Sequence, residues 1–288
     1  MTRALAQHVG GYSIVRGALL ARGVPMQTLT ELLSLNGRRV LITGAAAGIG
    51  HAMALRFAEA GANLDLVDRD EAGLARLADE LRCGSNQVQT HVVDLTDRAA
   101  MTALWEDMGD EAPDTLINNA GSYPIRDYEE VDSHFLEKTL QVNLESALWM
   151  AQGFVARRKR KGGVIINVSS VEALIPLRDD LIPYGVAKAG VLALTRGLAH
   201  SYGRDGFRVN VLVPGAIRTP GTDRLRGSAI RKLDVDMIKT GIQFGSRLAL
   251  GRWGKADEVA RVALFLASDL ASYVHGAMIP VDGGFLAS

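Results

Sequence analysis

The sequence lacks several features that define whole classes of protein. Its 288 residues include one cysteine, Cys83, which excludes an internal disulfide and favours a reducing compartment. Its 32 Lys and Arg residues balance 32 Asp and Glu residues, so it has no basic excess for nucleic acid or an anionic membrane. No apolar run approaches the ~18 residues of a membrane-spanning helix. The six histidines are scattered and form neither an HExxH motif nor a Cys/His cluster, so no metal site is predicted.

Glycine, in contrast, is abundant, at 31 of the 288 residues, where the average share is about 7%. From Arg38 onward, short apolar segments rich in β-branched residues alternate with amphipathic helical segments. Such an alternation predicts an α/β, Rossmann-like doubly wound parallel sheet, built as a single domain with helices on both faces. The predicted strands are Arg39–Thr43, Asn63–Val67, Val88–Val93, Thr115–Asn118, Val164–Val168, Arg208–Val213 and Ala277–Val281, and the predicted helices are Ile49–Ala60, Glu71–Arg82, Arg98–Gly109, Ser133–Arg160, Pro183–Tyr202 and Ala256–Ser268.

Two segments lie outside this alternation. Residues 222–253 are polar and helix-prone, and a connection of that length between two strands predicts a lid or binding loop. Residues 1–36 form an N-terminal extension that precedes the domain at residues 37–288. We expect a helical arm at Met26–Leu35, packed on the domain or on a neighbouring subunit. A transit peptide, suggested by an acid-poor start with arginines, and a disordered tail are the alternatives.

A glycine-rich loop follows the first predicted strand and opens the first long helix. Gly44 allows a tight turn, Gly48 lets the backbone approach a pyrophosphate, and Gly50 allows close packing of helix on strand. The helix N-terminus adds N–H groups and a partial positive charge. Asp68, at the end of the second strand, can accept hydrogen bonds from both ribose hydroxyls of a dinucleotide. The structural alternative is an ordinary tight turn with an aspartate that caps a helix.

The same positions bear on the choice of cofactor. The carboxylate of Asp68 repels a 2′-phosphate and therefore favours NAD over NADP. Arg69 next to it favours NADP, whereas Ala47 places no basic side chain within the loop. We predict NAD, with NADP as the alternative.

A tyrosine and a lysine stand four residues apart where a helix begins. Tyr184 and Lys188 lie on one helical face, and the ammonium is expected to pull the pKa of the phenol down from about 10, towards general acid/base work near neutral pH. Ser170 ends a strand at the carboxyl edge, where α/β sheets bind ligands. Taken alone, the Tyr-Lys pair is more often a solvated surface pair.

Together these features resemble the short-chain dehydrogenase/reductase family, in the branch with a TGxxxGxG loop and a YxxxK pair. The resemblance runs from about Gly37 to the last residue. The motifs that carry it are Thr43–Gly50, Asp68, Asp94-Leu95, Asn118-Asn119-Ala120-Gly121, Asn143, Ser170, Tyr184 with Lys188, Pro214-Gly215 and Val281-Asp282-Gly283-Gly284.

The resemblance implies a role for each matching position. Tyr184 would be the general acid/base, Lys188 would lower its pKa and bind the nicotinamide ribose, Ser170 would orient the substrate oxygen, and Asn143 would hold a water. For the cofactor, the resemblance implies contacts with Gly44, Ala47, Gly48, Ile49, Gly50, Asp68, Arg69, Asp94, Leu95, Asn118, Gly121, Tyr184, Lys188, Pro214, Gly215, Ile217 and Thr219. One departure is the spacing from Ser170 to Tyr184, which is 14 residues where the family usually has 13, so the loop Val171–Pro183 is one residue longer.

We therefore expect an NAD-dependent oxidoreductase that interconverts a secondary alcohol and a ketone. Arg178, Asp179 and Asp180 in the long loop hint at a polyol- or sugar-like substrate, although these side chains can equally face solvent. The alternatives are an NADP-dependent carbonyl reductase and a non-catalytic dinucleotide sensor, whose signature would be a lost tyrosine or lysine. We also expect a cytoplasmic homo-oligomer, a tetramer or a dimer, with a small-molecule substrate and no nucleic-acid or membrane partner.

Overall fold

Seven parallel strands form the central sheet of the protein. A computed structural model describes residues 26–82, 86–109, 111–223 and 245–288. In the order in which they pair, the strands are β3 (Val88–Val92), β2 (Asn63–Asp68), β1 (Arg39–Thr43), β4 (Thr115–Asn118), β5 (Gly163–Val168), β6 (Phe207–Pro214) and β9 (Met278–Val281). The order reverses between β1 and β4, and the crevice at such a reversal is the ligand-binding edge of this architecture.

Helices cover both faces of this sheet, as the alternating sequence predicts. They are α1 (Leu29–Leu33), α2 (Gly48–Glu59), α3 (Glu71–Leu81), α4 (Arg98–Met108), α5 (Ser133–Leu140), α6 (Ser146–Arg158), α7 (Ile182–Tyr202) and α8 (Ala256–Ala267). Three begin at aspartate N-caps, because the carboxylates of Asp70, Asp97 and Asp132 accept backbone N–H groups of the first turn. The doubly wound single domain is therefore confirmed.

The central strands are apolar on both faces because helices pack on both sides of the sheet. From Leu41 to Thr43 every residue of β1 is buried, and β4 is buried throughout. One core cluster lies between the sheet and helices α2 and α8, and includes Phe57 and Ile42. A second cluster, around Trp105 and Phe154, lies between the sheet and helices α4 and α6. These two layers hold the carboxyl ends of the strands in place.

Two features of the fold differ from the expected elements. The predicted helix Ser133–Arg160 is divided by a π-helical turn at Gln141–Glu145, which separates α5 from α6. A short parallel pair, β7 (Ile217–Arg218) with β8 (Gly254–Lys255), has no counterpart in the prediction. Hydrogen bonding between residues distant in sequence creates this pair, and local sequence patterns do not report such bonding.

The N-terminal extension is described from residue 26. Thr28 and Glu31 form a capping box at the start of α1, which is shorter than the predicted arm. Leu35 is fully buried, and its N–H donates to the Ala60 carbonyl at 2.8 Å. Residues 1–25, the lid residues 224–244 and Cys83 lie outside the described residues, and the predicted homo-oligomer stays a prediction.

Candidate active site

The loop between β1 and α2 provides a backbone cradle. Gly44 and Gly48 have φ values of +66° and +63°, which side chains other than glycine rarely tolerate. The N-cap of α2 is Ala47, whose side chain makes no capping hydrogen bond, so no side chain competes with an anion for the first N–H groups of the helix. This loop therefore fits the pyrophosphate of a dinucleotide.

The backbone around this loop is packed too closely for side chains. A Cβ on Gly50 would lie 2.1 Å from the carbonyl oxygen of Gly44, and a Cβ on Gly44 would lie 2.8 Å from Cα of Ala120. The loop also approaches Thr219: a Cβ added to Gly48 would lie 3.4 Å from the Cβ of Thr219. The structure thus brings the predicted contacts Gly44, Gly48, Gly50 and Thr219 together.

Asn119 and Ala120, which follow β4, hold the glycine loop in position through hydrogen bonds. The Oγ1 of Thr43 accepts the N–H groups of Asn119 and Ala120, both at 3.0 Å, and the Asn119 amide donates to the Thr43 and Gly44 carbonyls at 3.0 and 3.1 Å. Asn119 and Ala120 belong to the motif in the sequence, but their part in supporting the loop becomes apparent only from these contacts.

Asp68 lies at the carboxyl end of β2, beside the glycine loop. One carboxylate oxygen accepts the N–H of Ala46 at 3.0 Å, and the other accepts the N–H of Asp70 at 3.0 Å. These two bonds fix the carboxylate where a ribose can meet it. Arg69 is exposed beside it.

Several of the other predicted cofactor residues have buried side chains. The side chain of Asn118 is buried and donates to Asn167 at 2.9 Å, while its Oδ1 has no hydrogen-bond partner among the described residues. The side chains of Leu95, Pro214 and Ile217 are also buried. Asp94 is exposed, and hydrogen bonds from Thr96 are the main reason that its pKa is lowered.

Tyr184 lies in the first turn of α7, next to the end of β5. Burial raises its pKa to about 12, while a side-chain hydrogen bond with Ser170 opposes this shift and the charge of Glu172 adds to it. The net shift of this pKa is upward, and the expected lowering of it by Lys188 stays a prediction. Loss of hydration around the phenolate is the largest cause of the upward shift.

Lys188 is buried one turn further along α7. Its Nζ lies 5.8 Å from the ring centroid of Tyr184 and donates to the carbonyl oxygen of Val168 at 3.0 Å. Burial lowers the pKa of Lys188 to about 8. The Oγ of Ser169 donates to the Lys188 carbonyl at 2.8 Å, so side-chain and backbone bonds both tie this turn of α7 to the end of β5.

Asn143 lies at the centre of the π-helical turn and faces Lys188. Its Oδ1 accepts the N–H of Ser122 at 3.1 Å, and its Nδ2 donates to the Thr139 carbonyl at 3.0 Å. A Cβ on Gly121 would lie 3.0 Å from this Oδ1 and 3.3 Å from Nζ of Lys188. The predicted residues Asn143, Lys188 and Gly121 therefore converge on one point, which matches the frequent use of π turns at functional sites.

The longer loop before Tyr184 contains an internal ion pair. The Nε of Arg178 donates to a carboxylate oxygen of Asp180 at 2.7 Å, and a second nitrogen of Arg178 bonds the other oxygen. Both side chains are mostly buried, whereas Asp179 is exposed. The charges of Arg178 and Asp180 therefore neutralise each other.

Two residues beside Tyr184 were missed by the sequence reasoning. Tyr123 packs edge-on against Tyr184, with ring centroids 4.9 Å apart. Glu172 is buried two residues after Ser170. Its short distance from Ser170 along the chain was a usable signal, whereas no local pattern connects Tyr123 to Tyr184.

In the described part of the chain, no helix is both long enough and apolar enough to cross a lipid bilayer. Over the same residues, no group of three or more His, Cys, Asp or Glu side chains is placed to hold a metal ion.

Comparison with known proteins agrees with this geometry. A family model described as enoyl-(acyl carrier protein) reductase matches residues 44–286. Galactitol 2-dehydrogenase (L-tagatose-forming) of Cereibacter sphaeroides is 36% identical over 254 residues, which cover 87% of this chain and 96% of that enzyme. D-Threitol dehydrogenase of Mycolicibacterium smegmatis is 33% identical over 258 residues, covering 87% and 94%.

A solved structure shows the same similarity. The gluconate 5-dehydrogenase of Burkholderia cenocepacia, in complex with NADP and tartrate, superposes with a TM-score of 0.81 at 31% identity, covering 91% of this chain and all of that one. The chain belongs to the short-chain dehydrogenase/reductase family. It is an NAD(P)-dependent oxidoreductase that interconverts alcohols and ketones.

Proposed function

We propose that this enzyme oxidises a secondary hydroxyl of a neutral polyol to a ketone, and catalyses the reverse reduction, with NAD as its cofactor. The observation that carries the proposal is the convergence of Tyr184, Ser170, Lys188 and Asn143 beside the glycine loop, at the carboxyl edge of the sheet. We assign this chemistry to residues 37–288.

Each of these side chains has a task that its surroundings support. Ser170 would hold the substrate oxygen, because its hydroxyl is close enough to Tyr184 to lower the pKa of the phenol. Tyr184 would give a proton to that oxygen during reduction and take it during oxidation. A pKa near 12 keeps the phenol protonated at neutral pH, which suits the donating role in reduction, whereas oxidation uses the deprotonated phenol, the minor form at that pH.

Lys188 and Asn143 would support the proton transfer. The backbone bond to Val168 holds the Lys188 ammonium beside Tyr184, and Asn143 faces the same backbone position at Gly121. The nicotinamide cofactor, when bound, would supply or accept the hydride.

The choice of NAD is supported by Asp68. Its carboxylate is fixed by two backbone N–H groups at the end of β2, and a fixed negative charge there opposes a 2′-phosphate. The gluconate 5-dehydrogenase structure contains NADP, so NADP is the alternative that an experiment must test, with the exposed Arg69 in its favour.

The polyol class is supported by two relatives that act on sugar alcohols, galactitol and threitol. The neutralised pair of Arg178 and Asp180 also favours an uncharged substrate, because it offers no unpaired cation for a carboxylate.

A substrate screen tests the proposal. Purified protein would be assayed on sugar alcohols, simple secondary alcohols, sugar acids and the matching ketones with NAD and with NADP, by nicotinamide absorbance. We expect oxidation of neutral polyols with NAD. A higher kcat/KM with NADP would overturn the cofactor assignment, and turnover restricted to sugar acids would overturn the substrate class. Cofactor binding without turnover would indicate a dinucleotide sensor.

A further inference from the structure

Three buried polar side chains form a hydrogen-bonded chain through the core. The amide of Asn118 donates to Oδ1 of Asn167 at 2.9 Å, and the amide of Asn167 donates to Oγ1 of Thr195 at 2.9 Å. The hydroxyl of Thr195 in turn donates to the carbonyl oxygen of Val191 at 2.8 Å. Asn167 and Thr195 have no exposed surface, and Asn118 is 5% exposed. This polar chain therefore runs from β4 through β5 to α7 inside the protein.

The polar chain crosses the elements that surround the candidate active site. Strand β5 leads to Ser170, and helix α7 carries Tyr184. The amide of Asn118 also donates to the carbonyl oxygen of Ala147 at 3.2 Å, in the first turn of the helix α6 that follows the π-helical turn. One set of side chains thus connects β4, β5, α6 and α7.

The bond between Asn167 and Thr195 belongs to a group of polar contacts between β5 and α7. The other two join Oγ of Ser169 to the Lys188 carbonyl and Nζ of Lys188 to the Val168 carbonyl. Thr195 lies seven residues beyond Lys188, which is about two helical turns. Hydrogen bonds are directional, whereas apolar packing is not. Contacts at both positions therefore fix the height and the rotation of α7 against the strand.

Stability alone does not account for this polar chain. The Oδ1 atom of Asn118 is shielded from solvent and has no hydrogen-bond partner among the described residues. A buried acceptor without a partner is costly, whereas apolar groups of the same shape in place of both partners of a buried pair can be nearly neutral. What buried polar groups can add is a single, defined arrangement of the elements that they join.

We propose that Asn167 and Thr195 are positioning residues: their hydrogen bond holds α7 in the register at which Tyr184 meets Ser170. This inference rests on the proposed function, in which those two side chains share the reacting oxygen. Asn167 and Thr195 are fully buried, so they act through the helix and not by contact with the substrate. A displacement of about 1 Å at a reacting group can cost roughly 10²-fold in rate, so a small slip of α7 is sufficient.

Thr195→Val and Asn167→Leu each remove this bond with little change of shape. In Asn167→Leu the neighbours Asn118 and Thr195 each keep one hydrogen bond, to the carbonyl oxygens of Ala147 and Val191. On 2,3-butanediol and sorbitol we expect kcat to fall by roughly 10–100-fold in both variants, while KM and the Kd for NADH change by less than about 3-fold. Thr195→Ser keeps the hydroxyl and should restore kcat to within about 3-fold of the wild type.

The double variant Asn167→Leu/Thr195→Val tests whether the two side chains act through one bond. Because both substitutions delete the same hydrogen bond, kcat of the double variant should lie within about 3-fold of the lower single variant. Losses that multiply would show that the two side chains act separately, and would overturn the inference.

Two controls separate positioning from stability. Thr102→Val removes a similar bond, because the exposed Thr102 hydroxyl donates to the carbonyl four residues earlier at 3.0 Å, and kcat should not change. Met108→Ala removes a buried side chain at the end of α4, at the opposite edge of the sheet, and should lower the melting temperature without changing kcat. All assays are run well below the melting temperature of each variant.

A purely structural role predicts that Thr195→Val and Asn167→Leu behave like Met108→Ala, and that result would overturn the inference. Asn167→Leu decides the matter if Thr195→Val does not fold, because both neighbours of Asn167 keep a partner. Failure of both variants to fold would show that the polar chain serves folding, which would also overturn the inference.

Tyr184→Phe separates this inference from the proposed function. If Tyr184→Phe loses turnover while Thr195→Val and Asn167→Leu keep it, only the role of the polar chain is refuted. Full turnover in Tyr184→Phe, or none by the wild type on any alcohol of the substrate screen with either cofactor, would refute the proposed proton transfer and this inference with it.

Discussion

The ammonium of Lys188 donates to the carbonyl oxygen of Val168 across the junction of α7 and β5, at 3.0 Å. This bond joins the helix that carries Tyr184 to the strand whose end is followed by Ser170. The lysine is only 4% exposed, so the contact is made at the cost of burying a charge. Burial lowers its pKa from 10.5 to about 8.

We expect Lys188→Met to be more stable than the wild type at pH 7, by about 2 kcal/mol. A pKa shift from 10.5 to about 8 corresponds to roughly 3 kcal/mol, and the lost hydrogen bond subtracts ~1 kcal/mol. The penalty is fully present below the folded pKa near 8, and it is relieved up to the unfolded value of 10.5, because the folded state loses its proton first. The stability advantage should therefore shrink between pH 8 and 10.

Urea unfolding at pH 7 and pH 10 measures this difference. Lys161→Met, at an exposed position, should stay within ~0.5 kcal/mol of the wild type at both values. A methionine variant that is less stable at pH 7 would show that the bond to Val168 outweighs the burial of the charge. Activity should be lost in either case.

Tyr184→Phe should reduce kcat by roughly 10²–10⁴-fold, the usual contribution of a general acid/base. Cofactor affinity should stay nearly unchanged, because the glycine loop and Asp68 lie on other elements. Turnover and fluorescence titration with NADH measure the two effects. Tyr273→Phe is the matched control, since its side chain is fully exposed. Full turnover in Tyr184→Phe would rule out the proposed proton transfer.

Asp68→Ala should shift the preference from NAD towards NADP, by about 10–100-fold in the ratio of kcat/KM values. The substitution removes the charge that opposes a 2′-phosphate and leaves Arg69 beside it. The control is Asp70→Ala, which removes the N-cap of α3 and should lower stability by ~1 kcal/mol without a change in cofactor preference. If the ratio is the same in Asp68→Ala, the carboxylate does not select the cofactor.

Gly50→Ala should weaken both cofactor binding and stability. The added Cβ would lie 2.1 Å from the Gly44 carbonyl oxygen, and the glycine loop must shift at a cost of at least about 1–3 kcal/mol. Gly197→Ala on α7 meets no atom within 4 Å and should stabilise the protein by ~0.4–1 kcal/mol. Thermal melts and NADH titration of the two variants provide the comparison. Unaltered affinity in Gly50→Ala would mean that this loop does not hold the cofactor.

The sheet was predictable because its signals are local. The predicted strand Thr115–Asn118 has the observed ends, and Arg39–Thr43 likewise matches β1. Both are short, mainly apolar runs with clear boundaries, and a parallel sheet covered on both faces buries nearly all of their residues. The glycine loop and Asp68 could be read for the same reason, since each requirement is met within a few residues.

The rest of the site depends on contacts between distant segments. The neutralised pair of Arg178 and Asp180 and the packing of Tyr123 on Tyr184 arise when loops meet in the fold. The raised pKa of Tyr184 depends on burial, whereas the four-residue spacing to Lys188 reports only the proximity of the cation. The division of Ser133–Arg160 depends on one residue added to a helical turn, which leaves the amphipathic pattern on either side recognisable.

The residue added in the π-helical turn rotates the side-chain faces of α5 and α6 relative to each other. Since one residue advances an α-helix by about 100°, the turn at Gln141–Glu145 offsets the face of α5 from the face of α6. Each half can then vary without rotating the other: α6 keeps its buried residues on the core, and Asn143 stays aimed at Lys188. Removing a single residue from this turn would make α5 and α6 one continuous α-helix. Either the Asn143 amide would then rotate away from Lys188, or the buried face of α6 would rotate away from the core. A chimera with another member of the family should therefore exchange this turn intact or leave it whole.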